Sequence, residues 1–199
     1  MDPGKRAEVE AKIRVDCEGN RFDDAAKKAL EAYGSEVFGF LLACAKDSNG
    51  ADDAFSLFSE KLWRGLSSFN WQSSLRTWAY TIARRCLLDL QQGEAQHRRG
   101  RIPIEGVEEI AERVRTKTLS LFAQQKMDAF AKLRAELPED DRMLLVLRVD
   151  ESRDWQEIAT ILDTPEDQLV RETARLRKRF QLIKERLRFL GKARGLLTE

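Results

Sequence analysis

The sequence predicts an all-α protein built as two small helical domains joined by a linker. Three observations carry that expectation. Apolar residues recur at spacings near 3.6 along most of the chain, while strand-like alternation is almost absent. Only four prolines and eleven glycines interrupt the 199 residues. The helical pattern weakens once, where Gly93, Gly100, Pro103 and Gly106 cluster and basic His97-Arg98-Arg99-Gly100-Arg101 gives way to acids from Glu105 to Glu112.

The elements follow in order. Residues 1–22 read as a polar leader with no assignable role. A first helix is expected over 23–32 and a second over 35–46, where Val37, Phe38, Leu41, Leu42 and Ala45 form an apolar stripe. Asp47-Ser48-Asn49-Gly50 reads as a turn. A third helix is expected over 51–65, with Phe55, Phe58, Leu62 and Leu66 on one face. A fourth begins at Ser73 or Ser74 as N-cap and runs to Gln92, with Leu75, Trp78, Ile82 and Leu90 on its apolar side. The first domain is therefore 23–92 and the linker 93–117. The second domain, 118–199, has helical pattern over 118–136, a break at Leu137-Pro138, and a short apolar helix over 143–149. Trp155, Ile158, Ala159 and Leu162 then share a face. The turn Asp163-Thr164-Pro165 leads to a basic helix whose buried stripe is Leu169, Thr173, Leu176 and Phe180. Residues 181–199 continue helically.

Composition excludes several function classes. The chain is 42% hydrophobic and 35% charged, enough apolar residue for packed cores and more charge than the usual quarter. Its formal charge is only +1, so any polyanion binding must come from local patches. Cys17, Cys44 and Cys86 show neither metal spacing nor an even-numbered framework, which fits reduced thiols in the cytoplasm. With His97 the one histidine, neither a histidine-based metal site nor a Ser-His-Asp triad is expected. There is no phosphate loop and no clustered carboxylate metal site, so the expectation is a non-enzymatic protein without a cofactor. No apolar run reaches the roughly 20 residues that span a bilayer, and the N-terminus has no apolar signal core; membrane insertion is not expected.

Two segments carry chemistry. From Phe69 to Arg85, four aromatics and three arginines are interleaved with Ser, Thr, Asn and Gln. Rings stack on unpaired bases and guanidinium groups neutralise phosphates, so this composition suits a single strand. Trp78 and Ile82 read more simply as core packing, whereas Trp71, Arg76 and Arg84 read as functional. The second segment is the pair of helices around Asp163-Thr164-Pro165, a helix-turn-helix pattern in which small Ala159 permits a close crossing. Its second helix is basic: Val170 to Arg194 holds ten Lys or Arg against two acids, Glu172 and Glu185. A basic helix end also favours its own dipole, but the preceding Trp-x-x-Ile-Ala-x-x-Leu and tight turn favour DNA.

Taken together, these segments resemble the extracytoplasmic-function (group IV) sigma factors, the small two-domain promoter-specificity subunits of bacterial RNA polymerase. The likeness rests on Ala51-Asp52-Asp53, Trp63, and Phe69 through Ser74-Leu75-Arg76-Thr77-Trp78-Ala79-Tyr80-Thr81-Ile82-Ala83-Arg84. In the second domain it rests on Leu137-Pro138, Ile158-Ala159-Thr160-Ile161-Leu162 and the basic helix over 166–180. The resemblance implies a region 2 that melts and holds the minus-ten element. Asn70, Trp71, Gln72, Ser73 and Ser74 would capture a flipped base, and Arg76, Tyr80, Arg84 and Arg85 would line the strand or support that loop. It implies a region 4 that reads the minus-thirty-five element with Gln168, Arg171, Glu172, Arg175, Lys178 and Arg179. The partners implied are core RNA polymerase and promoter DNA. The core enzyme would dock on Asp52, Asp53, Ser56, Leu57 and Glu60. In the linker, Glu105, Glu108, Glu109 and Glu112 either mimic nucleic acid or form a solvated acidic run.

Two positions depart from the family pattern. Ser56 and Leu57 stand where a Gln-Glu or Gln-Asp pair is common, which weakens the acidic docking face. Phosphorylation of Ser56 or Ser59 would restore charge there, making a Ser/Thr kinase, or an anti-sigma factor, a candidate regulatory partner. In the basic helix Val170 and Glu172 replace residues that are often basic, which implies an unusual promoter sequence. The competing reading is a helix-turn-helix regulator that binds duplex DNA and never engages polymerase. The aromatic run at Phe69 argues against it, because duplex readers need no stacking platform.

Overall fold

The computed structural model describes residues 2–93, 106–124 and 129–196. Every regular element among them is helical, and the chain divides into two compact units, 1–122 and 123–199. Among the described residues no helix is long and apolar enough to cross a membrane. His97 and Glu105, and with them the centre of the expected linker, lie outside the described residues.

The first unit differs from the expected layout at three places. The polar leader is a helix, α1 (Pro3–Glu18), capped by the Asp2 carboxylate, which accepts from the Gly4 and Lys5 N–H groups. It buries one apolar side chain completely, Ile13, so apolar periodicity gave it no signal. Polar contacts hold it instead. Asp16 is buried and accepts from Arg21 Nε at 3.1 Å and Nη2 at 2.8 Å, and from Lys28. Asn20, in the left-handed region at φ 56°, turns the chain into α2.

Where two helices were expected there is one, α2 (Phe22–Cys44). Gly34 sits inside it without breaking it, and a Cβ there would stand only 3.1 Å from Val114 Cγ1. The glycine makes room for a neighbouring helix rather than ending its own. That neighbour, α5 (Val107–Gln124), is the third difference, since it begins within the span read as linker. Val107, Ile110, Ala111, Val114 and Thr118 are its buried stripe. Arg113 pairs with Glu31 of α2 at 3.0 Å.

Between them lie α3 (Ser48–Gly65), capped by Asp47, and α4 (Leu75–Gln91), capped by Ser74 as expected. Asp47-Ser48-Asn49-Gly50 is thus the start of α3 rather than a separate turn. The core is aromatic: Phe38 meets Phe55 at 4.9 Å, Phe55 meets Phe58 at 5.6 Å, and Phe40 meets Tyr80 at 5.3 Å. Each fully buried ring contributes about 1.5–3 kcal/mol over exposure. None of the three cysteines is in a disulfide, and Cys44 and Cys86 are buried; burial pushes the Cys86 thiol up to about 12.

The Lys28 and Arg21 hydrogen bonds hold the Asp16 carboxyl below its ordinary value, against the opposing effect of burial. A depressed folded pKa stabilises above the unfolded value and is lost as the pH falls through the folded one. Asp16→Asn is therefore expected to cost about 2 kcal/mol at neutral pH and to flatten the acid limb, as measured by urea unfolding from pH 7 to pH 3.

The second unit holds α6 (Ala129–Ala135), α7 (Glu139–Leu145), a π turn (Val146–Asp150), α8 (Trp155–Ile161) and α9 (Leu169–Ala193). The apolar segment expected as one helix is thus the end of α7 plus the π turn. A capping box starts α8: Asp154 Oδ1 accepts from the Glu157 N–H at 2.8 Å, and Glu157 Oε2 from the Asp154 N–H at 3.2 Å. Asp163, at φ 63°, ends it, and the Thr164 N–H donates back to the Ala159 carbonyl at 3.0 Å. Ala159, Ile158 and Leu176 are buried where α8 and α9 cross. The long α9 carries the helical continuation past Phe180.

Candidate nucleic-acid interface

The loop between Phe69 and Ser74 is assembled from rings and polar caps. Phe69 stacks on Trp78 at 4.5 Å with 19° between planes, and Trp71 packs on Phe69 at 4.8 Å. Gly65 lies under this stack, its absent Cβ leaving room for Trp78 Cζ2, which would be 2.8 Å away. Trp71 takes φ 60°, a left-handed backbone that bulky residues rarely adopt. Such strain persists only where the surroundings over-determine it, and it gathers at functional sites. Asn70 Oδ1 accepts from the Gln72 N–H at 3.3 Å. Asn70 and Gln72 are exposed, and Trp71, Ser73 and Ser74 are half-buried.

Below the loop, the free N–H groups of the first turn of α4 are all used. Leu75 and Arg76 donate to the Glu10 carboxylate of α1 at 3.2 and 3.1 Å. Thr77 donates to Ser74 Oγ at 3.0 Å, and Trp78 to the Ser74 carbonyl at 3.1 Å. Tyr33 also donates its hydroxyl to Glu10, at 2.9 Å; burial and that carboxylate push the phenol well above its ordinary range. Arg14 of α1 lies 5.5 Å over the Trp71 ring. Nothing in the sequence of α1 announced these contacts, because a carboxylate caps a distant helix without any local spacing signal.

The expected strand residues divide by position. Arg76 is 8% exposed and its Nε donates to Glu36 at 2.6 Å, while Tyr80 is fully buried. Neither is exposed on the loop. Arg84 is half-buried and Arg85 exposed on the same helix. Ile82 is buried as the core reading expected, whereas Trp78 is half-buried and its ring stacks on Phe69 of the loop.

On α3, Asp53 is exposed and Asp52, Ser56, Leu57 and Glu60 are half-buried. Arg115 of α5 donates to Ser56 Oγ at 3.0 Å and pairs with Glu112 at 3.0 Å. Burial raises the Asp52 carboxyl pKa, opposed by Arg115. Ser59 is buried and donates to the Phe55 carbonyl at 2.9 Å, so a modifying enzyme cannot reach it without opening the helix.

In the second unit, Gln168, Arg171, Arg175 and Lys178 are exposed on α9, and Glu172 is half-buried with Arg175 at 3.6 Å. Arg179 differs from them: its Nε bonds Asp141 at 2.6 Å, and its Nη2 lies 3.5 Å from Asp140, tying α9 to α7. Trp155 is wedged between Phe180 at 5.6 Å and Arg148 at 4.8 Å. Trp155 thus ties the start of α8 to α9.

Residues 29–96 match the family model for Sigma-70 region 2. The match spans most of α2 and all of α3 and α4 and includes the Phe69–Ser74 loop; it supports a sigma-factor role in transcription initiation. No curated protein matches the chain.

Proposed function

We propose that this chain is an RNA polymerase sigma factor of the extracytoplasmic-function type. Its first unit melts the minus-ten element and holds the non-template strand on the loop over 70–74. Its second unit reads the minus-thirty-five element with α9. The observation that carries this reading is the match of residues 29–96 to Sigma-70 region 2, together with the strained Trp71 on an exposed polar loop inside that match. Asn70, Gln72 and Ser73 offer hydrogen bonds to an extruded base, and Arg85 offers charge to a phosphate. Binding the extruded base offsets the few kcal/mol that flipping costs. On α9, Arg171 and Arg175 suit guanine edges, and Glu172 suits a cytosine amino group.

Core polymerase would dock on α3 around Asp52, Asp53, Ser56, Leu57 and Glu60. Of the two serines, Ser56 is the accessible one, and a phosphate there would meet the Arg115 guanidinium that its hydroxyl already contacts. The regulatory partner is then a Ser/Thr kinase or an anti-sigma factor, and the setting the cytoplasm. The test compares specific promoter binding by the free chain and by the chain with core polymerase. Tight binding only with core enzyme supports the reading. Equally tight binding by the free chain favours the regulator that works on duplex DNA alone.

A further inference from the structure

Helix α1 contacts the loop at Trp71 and the first turn of α4 directly after the loop. Glu10 places a carboxylate on the first two N–H groups of α4, where the helix dipole is positive, directly after Ser74, the loop's last residue. The same carboxylate accepts from Tyr33 of α2, so its position is fixed from two sides. One turn further along α1, Arg14 covers the ring of Trp71. Trp71 is the residue whose backbone is strained, and a strained residue keeps its conformation only while its neighbours hold it. Ile13, between these two contacts, is fully buried and anchors α1 against the unit. The buried Asp16, with Arg21 and Lys28, fixes the far end of α1.

We propose that α1 is a working part of the strand-capture site. Glu10 is a positioning residue that fixes the α4 end from which the loop springs. Arg14 is a positioning residue that holds the Trp71 ring ready for an extruded base. This rests on the sigma-factor reading. A guanidinium over an indole attracts its face, and a carboxylate accepting two backbone N–H groups makes stronger bonds than a neutral cap. Both interactions act on the loop conformation before any strand arrives, which is pre-organisation rather than direct contact.

The test uses the full chain in two measurements. The first is amide hydrogen exchange at Leu75 and Arg76 in the free protein. The second is the affinity of chain plus core polymerase for a fluorescent single-stranded minus-ten oligonucleotide, alongside the affinity of the chain for core polymerase. Glu10→Gln keeps the shape and loses the charge; it is expected to speed exchange at both amides and weaken strand binding by roughly tenfold. Arg14→Ala is expected to weaken strand binding by about two- to fivefold, with Arg14→Lys in between. Neither should change affinity for core polymerase. Lys12→Ala, which breaks only the exposed pair with Glu8 on α1, should change nothing. Unchanged strand affinity in Glu10→Gln despite faster exchange overturns the proposal, as does an equal loss of core affinity. If wild-type chain with core polymerase binds no strand while exchange still responds to Glu10→Gln, the sigma reading itself fails and α1 is structural only.

Discussion

Core polymerase carrying a Trp71→Ala chain is expected to lose about 1–3 kcal/mol of affinity for the single-stranded minus-ten element, the range for removing one stacked base contact. Trp71 sits at the outer end of a ring series in which Phe69 lies between it and Trp78. Truncating it removes the half-buried outer end of that stack and leaves Phe69 and Trp78 in contact. Stability should therefore fall only by the lost packing, because alanine keeps the Cβ that strains the left-handed backbone at this position. Thermal unfolding of the free chain separates the two effects. A large drop in strand affinity with a near-constant midpoint supports a base platform; a large drop in the midpoint makes Trp71 a core residue instead.

Arg171→Ala and Arg179→Ala are expected to fail in opposite ways. Arg171 is exposed on α9. Its loss should cost roughly 1–3 kcal/mol of upstream-element affinity and relax specificity at one base pair, leaving the fold intact. Arg179 is committed to Asp141 and Asp140. Its loss leaves a half-buried aspartate without its cation and loosens α7 from α9, so the second unit should be destabilised with little change in base preference. Measuring unfolding and binding across a set of single-base promoter variants distinguishes them. The sequence placed both arginines on one basic face, because charge counting cannot tell a cation that meets phosphate from one that meets an internal carboxylate.

Much of the frame was legible. The stripe Phe55, Phe58, Leu62 and Leu66 is buried as its spacing requires. Ser74 caps α4, and Asp163-Thr164-Pro165 closes α8, because both use local side-chain and turn chemistry that a short window contains. What escaped was set by contacts distant in sequence. The break expected between residues 32 and 35 is absent, and Gly34 within that span admits Val114 from a helix eighty residues later. The leader looked inert because its docking runs through Glu10, Arg14 and Asp16, which read as solvated charges until their partners are known. Helix α5 was concealed by glycines and a change of charge sign just ahead of it, although Val107, Ile110, Ala111 and Val114 carry a helical apolar period. At the site itself, the loop residues were readable from composition, whereas the burial of Tyr80 and the pairing of Arg76 with Glu36 depend on how α2 and α4 pack.

The central claim is that this chain makes polymerase start at a promoter. Run-off transcription with purified core polymerase, a promoter template from which the chain directs expression, and the wild-type chain tests it most directly. The expected result is a discrete transcript that requires both core enzyme and chain and that falls sharply with Trp71→Ala. A chain that binds the same template tightly without core polymerase, and yields no transcript when core polymerase is added, would contradict it.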